Sequence, residues 1–316
     1  MNPLYLLLEV SAALFFAGAA LAALRRGRLP FLELISAAAF GILLEEGAQL
    51  VFETYHYSRD WILTIDRAPV VIGLTWALII AGAMRLTDAL GVRRRYAPFV
   101  DAVLAISVDL AFDAIAIRMG LWTWRGVPAS QGWFGVPAGN FYTWLLVTLG
   151  FSVMTRWLRD VSRTRPSWEW LQLAVPVPAW ILLLAGLIPF IILHQIVDPT
   201  LGGGFSLFGI AMAGFLAISA WGVWGPDRVR PDGAGLAILE LRLALGTRVA
   251  IEGFFLVALV LMGGITRFPV LLSVALLLLA LEWPLGRLVH GRHTRAHAEA
   301  RQAIVEAGSA PAGSYR

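Results

Sequence analysis

Two aspartates, Asp109 and Asp113, stand four residues apart in an apolar stretch, a spacing that puts both carboxyls on one face of a helix. Trp122 and Trp124 follow, and then a Gly135-Val136-Pro137 turn leads through Asn140 to Trp144. A second acidic stretch has similar ingredients: Glu45 and Glu46, then Tyr55 and Tyr57, then Trp76. Each ionised aspartate at the centre of a bilayer costs roughly 2.5–3.5 kcal/mol, so acids in such a setting demand a use. The chemistry open to this set requires no metal. A carboxylic acid that keeps its proton in an apolar site can deliver it to an alkene. Aromatic faces stabilise the tertiary cation that results, by about 2 kcal/mol or more when desolvated. A second carboxylate, or Asn140, then orients a water onto the cation as general base. The product of such a sequence is a tertiary alcohol.

The rest of the chain supplies the oil. Of its 316 residues 59% are hydrophobic and only 15% charged. The mean hydropathy is +0.74. Soluble domains carry about a quarter charged residues, so the composition specifies an all-α, polytopic membrane bundle. The net charge of +4 comes from arginines in short clusters between apolar runs. That is the pattern of helix-flanking anchors and not of a nucleic-acid footprint. Cysteine is absent, which excludes disulfides, thiolate nucleophiles and thiolate-held metals. Lysine is absent as well, which excludes Schiff-base chemistry on a side chain.

Nine apolar segments approach the ~20 residues that a helix needs to cross hydrocarbon. They run over about 4–24, 32–57, 69–90, 97–120, 140–158, 171–195, 203–222, 236–263 and 268–288. The first lacks a basic leader and is followed by Arg25, Arg26 and Arg28, so it reads as a retained span and not a signal peptide. Every other connection is arginine-rich: Arg25 to Arg28, Arg93 to Arg95, Arg156 to Arg165, Arg228 and Arg230, and Arg287 to Arg295. The positive-inside rule then puts the N-terminus outside and the C-terminus inside, in the cytoplasmic (inner) membrane of the cell. On this reading residues 1–290 form one transmembrane domain and 291–316 a solvated, disordered cytoplasmic tail.

Within the second segment Glu46, Gln49, Glu53 and His56 recur at steps of three and four, a single polar stripe with Glu45 about 100° round from it. In the fourth, Asp109 lies roughly 18 Å from the helix start, with Asp101 nearer that start. These polar faces are expected to turn toward each other. The two hairpins also echo one another: Tyr55-His56-Tyr57 precedes Pro69 and Thr75-Trp76, and Trp122-Thr123-Trp124 precedes Pro137 and Thr143-Trp144 at the same Pro-to-Trp spacing. Tyr and Trp at helix ends also serve as interfacial belts, but here they cluster beside carboxylates. Arg248 and Glu252, four apart, read as a structural ion pair. Gly202 to Gly204 read as a hinge. His56 and His194 are isolated and not expected to hold a metal.

Glu45-Glu46-Gly47, Tyr55-x-Tyr57, Pro69 leading to Trp76, Asp109-Leu110-x-x-Asp113, Gly120-x-Trp122-x-Trp124 and Gly135-Val136-Pro137-x-x-Asn140-Phe141-x-x-Trp144 together resemble the integral-membrane carotenoid biosynthesis family. That family includes cofactor-independent hydratases of γ-carotene and of bacterioruberin precursors. The likeness covers residues 35 to 150, the half expected to hold the catalytic site. It departs from the family pattern at Val51-Phe52-Glu53, where Pro-Phe-Gly is usual, and at Ala114, where proline is common. The resemblance implies addition of water across the 1,2 double bond of an acyclic carotenoid end, without a cofactor. Asp109, Asp113, Glu46 and Glu45 are then the candidate catalytic residues, and Tyr55, Tyr57, Trp76, Trp122, Trp124, Asn140 and Trp144 the candidate substrate-binding ones. The expected partners are a polyisoprenoid and membrane lipid, with no nucleic acid. A long polyene suits access between helices from the lipid, and Gly246, Gly253, Gly263 and Gly264 in the eighth segment permit a groove. Two other classes use similar residues: a proton-coupled transporter, and an isoprenoid-binding protein without catalysis. The second and fourth segments lack the central Gly/Pro breaks common at transporter sites.

Overall fold

The computed structural model describes residues 3–226 and 238–309. With no water in hydrocarbon to satisfy backbone groups, apolar sequence of this kind closes its hydrogen bonds within helices. The helices are α1 (Pro3–Arg26), α2 (Arg28–Val51), α3 (Val70–Ala89), α4 (Ala97–Arg118), α5 (Ala138–Thr164), α6 (Pro176–Val197), α7 (Phe205–Trp224), α8 (Ile238–Leu261), the short α9 (Gly264–Arg267) and α10 (Pro269–Ser309). A 3-10 helix, Pro166–Ala174, joins α5 to α6. Four short strands occupy the loops: β1 (Tyr55–Tyr57), β2 (Thr64–Ile65), β3 (Ala68–Pro69) and β4 (Trp122–Trp124).

Each of the nine apolar segments falls on a long helix. Seven of these, α1, α2, α3, α6, α7, α8 and the Pro269–Ala296 part of α10, are long and apolar enough to cross a membrane. The chain is thus a multi-pass membrane protein. α4 and α5 have the length but also the charges, Asp101, Asp109, Asp113 and Arg118 in one and Arg156, Arg159, Asp160 and Arg163 in the other. The structure departs from the sequence reading at two helix ends. α2 stops at Val51, so Glu53 and His56 are off the helix and the long polar stripe does not form. The sixth helix begins at Pro176, because Pro166 and the residues after it take the tighter 3-10 path. α10 is helical to Ser309, through a segment rich in the strong helix formers Ala, Arg, Glu and Gln. Arg228 and Arg230 lie outside the described residues.

α3 is the most enclosed of the spanning helices. It approaches α2 through glycines: a Cβ on Gly41 would lie 2.7 Å from the Trp76 Cβ. That close approach sets Trp76 against the acidic part of α2. The arginine-rich end of the bundle is locked by buried ion pairs. Arg156 bonds Asp88 and reaches Asp101 at 3.0 Å, Arg159 reaches Glu33 at 2.7 Å and Asp88 at 2.9 Å, and Arg85 reaches Glu33 at 3.3 Å. Arg156 and Arg159 are thus interior clamps on α2, α3 and α4 as well as flanking charges. Arg248 pairs with Glu252 at 3.9 Å, as expected, and also forks onto Glu282 of α10 at 2.6 and 2.9 Å.

Candidate active site

Asp109 and Asp113 do share a face of α4, and both are buried. What meets them is the first turn of α5. Pro137, extended at the N-cap, starts that helix, and its carbonyl accepts the Asn140 amide N–H at 3.0 Å, so the Asn140 side chain is delivered to the acids. Its Nδ2 donates to Asp109 Oδ2 at 3.1 Å and to Asp113 Oδ2 at 2.6 Å. Asp113 Oδ1 accepts the Trp122 indole N–H at 2.6 Å. Asp109 Oδ1 is buried and has no hydrogen-bond partner among the described residues. One carboxyl is therefore held by two donors and the other has a bare oxygen.

The second acidic centre is Glu45. Its Oε2 accepts the hydroxyls of Tyr55 and, at 2.6 Å, Tyr57, and its Oε1 accepts the Trp76 indole at 2.7 Å. Tyr55 and Tyr57 sit outside the helices. Burial, and then the neighbouring Glu45 carboxylate, hold both phenols well above the usual tyrosine range, so both keep their protons and donate. Glu46, beside it, turns elsewhere: its Oε1 accepts the backbone amides of Arg67 at 2.8 Å and Ala68 at 2.6 Å, pinning the β2–β3 turn. Glu46 does not line the cavity.

The hairpin echo in the sequence is realised as contact. β1 pairs antiparallel with β4, Tyr55 opposite Trp124 and Tyr57 opposite Trp122. Alternation along a strand puts these four rings on one face, with His56 and Thr123 on the other. Tyr55 and Trp124 lie 5.0 Å apart by ring centroid, Tyr57 and Trp122 5.9 Å. The two Thr-Trp pairs also meet. Thr75 and Thr143 each bond the carbonyl four residues back, and the rings of Trp76 and Trp144 lie 4.1 Å apart at 37°.

These groups line one cavity of about 320 Å³ bounded by α2 to α6 and the β1–β4 pair. It contains Asp109, Asp113, Glu45, Asn140, Tyr55, Tyr57, Trp76, Trp122, Trp124 and Trp144 together. Sequence reasoning missed its remaining walls. Phe112, between the aspartates on α4, lies 5.4 Å from Trp122 and faces Phe255 of α8 at 4.7 Å. α6 gives Trp180, Leu183, Leu187 and Phe190, apolar residues in an apolar helix that nothing in the pattern distinguishes from lipid-facing neighbours. The cavity is thus mostly hydrocarbon and aromatic, with carboxyls concentrated on α2 and α4.

A multi-pass membrane protein with acids and an amide gathered in an aromatic pocket defines the class. Within that class, the family model for carotenoid biosynthesis proteins matches residues 1–209, about two thirds of the chain, and the protein belongs to that family. The match extends the likeness read from the motifs in both directions and includes every residue that lines the cavity. Searches of curated proteins and of solved structures give no match.

Proposed function

We propose that the protein is a carotenoid hydratase that adds water across the terminal 1,2 double bond of an acyclic carotenoid end, without a cofactor. The observation that carries this reading is the pair of buried carboxyls joined by one amide inside an aromatic, apolar cavity. The proton comes from Asp109, whose Oδ1 accepts no hydrogen bond among the described residues. It forms a C–H bond at the CH carbon of the double bond with the π electrons, leaving a tertiary cation on the dimethyl carbon. Trp144, Trp76, Trp122 and Phe112 offer ring faces to that cation. Asp113, which accepts hydrogen bonds from Trp122 and Asn140, orients a water and takes its proton as the C–O bond forms. The proton then returns to Asp109 across the bridged pair, so one water is added and no net proton is consumed. Glu45 acts by position: it accepts three hydrogen bonds that fix Trp76, one of the rings facing the cation, and the neighbouring Tyr55 and Tyr57.

The same reading has all nine long helices crossing the cytoplasmic membrane, N-terminus outside. The alternating arginine clusters support that orientation, and the charges of α4 and α5 are compatible with crossing because those of known partner are paired inside the bundle. Asp109→Asn and Asp113→Asn, expressed in a host that makes acyclic carotenoids, test the chemistry. Both variants insert and accumulate normally while the pigment one water heavier falls at least a hundredfold. Undiminished hydration in either variant removes the proposed acid–base pair.

A further inference from the structure

The cavity is too small for a whole carotenoid, so on the hydratase reading most of the substrate must lie outside it, and the structure indicates where. α6 runs antiparallel to α5: Gly150 faces Ala179, Gly186 faces Leu146 and Gly139 faces Phe190. Its C-terminal half therefore reaches the aromatic end of the bundle, as the end of α2 does. The seam between α2 and α6 is more sparsely packed than the α2–α3, α3–α4, α4–α5 or α5–α6 walls. A close contact across it is Gly47 against Trp180, where a Cβ would lie 2.6 Å from the indole. Beyond that point α6 continues from Ile181 to Val197 while α2 has only Ala48 to Val51 left.

Above the Gly47–Trp180 contact one flank of the cavity is therefore edged by Ala48 and Phe52 on one side and by Leu184 and Ile191 on the other. Phe52 is 40% and Ile191 45% exposed, and the adjoining Ile188 and Ile192 of α6 are exposed too. Outward isoleucines on a spanning helix put this flank at the depth of lipid chains. The end of the cavity along the bundle axis is closed by comparison. Leu201 packs onto Gly126, and Gly202 approaches the Gly132 amide so closely that a Cβ would stand 2.8 Å from it. That loop is held in place by the Gly204 amide and the Thr200 hydroxyl, which donate to Asp198 at 3.0 and 2.8 Å. The Gly204 amide, then the Thr200 hydroxyl, also keep the exposed Asp198 carboxyl below its ordinary range, so the loop stays tied at neutral pH.

We propose that the α2–α6 seam, with the Gly47–Trp180 contact as its sill, is a lateral portal that admits one end of a polyisoprenoid from the bilayer and holds the chain behind it during the reaction. The ends of the polyene are then processed one at a time, each after release and re-insertion. Because the chain contains no cysteine, single Ala48→Cys and Leu184→Cys variants in lipid nanodiscs can be labelled with a bulky lipid-soluble maleimide after folding. Val257→Cys, exposed on α8, is the labelled control. Lycopene association is followed by quenching of tryptophan fluorescence, and hydration by product mass. Label at Ala48 or Leu184 is expected to slow quenching at least tenfold, and label at Val257 to leave it unchanged. Unchanged association with both portal positions labelled overturns the proposal, as does an unlabelled protein that binds no polyene. Slowed association in a protein that forms no hydrated product leaves the portal standing and refutes the hydratase reading instead.

Discussion

Replacing Glu45 separates positioning from proton chemistry. Its two carboxylate oxygens accept three donors, two phenols on one oxygen and the Trp76 indole on the other. Glutamine has a single acceptor oxygen, so whichever way the amide turns its NH2 faces at least one of those donors. A buried donor left unsatisfied costs about 1–3 kcal/mol, and that is the loss expected for Glu45→Gln. Glu45→Ala strands all three donors, a simple sum of roughly 3–9 kcal/mol, and coupling among neighbours keeps the measured value toward the lower end. On the hydratase reading the same change frees Trp76 beside the reacting carbon, where a displacement of about 1 Å costs about a hundredfold in rate. Denaturant unfolding in detergent, together with kcat and KM on an acyclic carotene, reads both effects. Stability should fall from wild type to Gln to Ala, with kcat falling in the same order and KM changing little. If Glu45→Gln abolishes turnover as fully as Asp113→Asn yet costs no stability, Glu45 handles a proton and the positioning argument is wrong.

Trp144→Ala removes a ring packed against Trp76 beside the acids, and a desolvated cation–π interaction of about 2 kcal/mol corresponds to a kcat lower by about 30-fold. Trp144→Phe should recover part of it, and equal losses in the two variants would deny the ring an electrostatic role. Glu46→Gln leaves one carbonyl for the Arg67 and Ala68 amides, so unfolding free energy should drop by no more than about 1–2 kcal/mol with kcat intact. A large loss of kcat with normal stability would return Glu46 to the chemistry.

The acid pair was legible because a four-residue spacing survives any uncertainty in where α4 begins. The choice between Glu45 and Glu46 was not. It depended on extending the helical period to Glu53 and His56, and α2 ends at Val51 because the chain turns there into a strand. Three-residue strands carry too little alternation to announce themselves, so the Tyr55–Trp124 and Tyr57–Trp122 pairing appeared in the sequence only as two similar aromatic clusters. Asn140 was visible as a polar residue in a turn-to-helix motif, but its bridging of two carboxyls depends on how α5 packs on α4. Arg248 shows the same limit: its ion pair with Glu252, four residues on, was legible, but its closer partner, Glu282, is 34 residues away on α10. The contribution of α6 was hidden for a different reason. Its Leu, Ile and Phe residues satisfy lipid and cavity equally, and only packing decides which face each serves.

The central claim is that a carboxyl protonates an alkene and water then captures the cation. Turnover of an acyclic carotene in deuterated water, and separately in water labelled with heavy oxygen, tests it most directly. The account predicts one non-exchangeable deuterium on the carbon next to the new alcohol and heavy oxygen in that alcohol, with both labels lost together in Asp109→Asn. An alcohol whose oxygen does not come from water, or whose neighbouring carbon carries no deuterium, would contradict it.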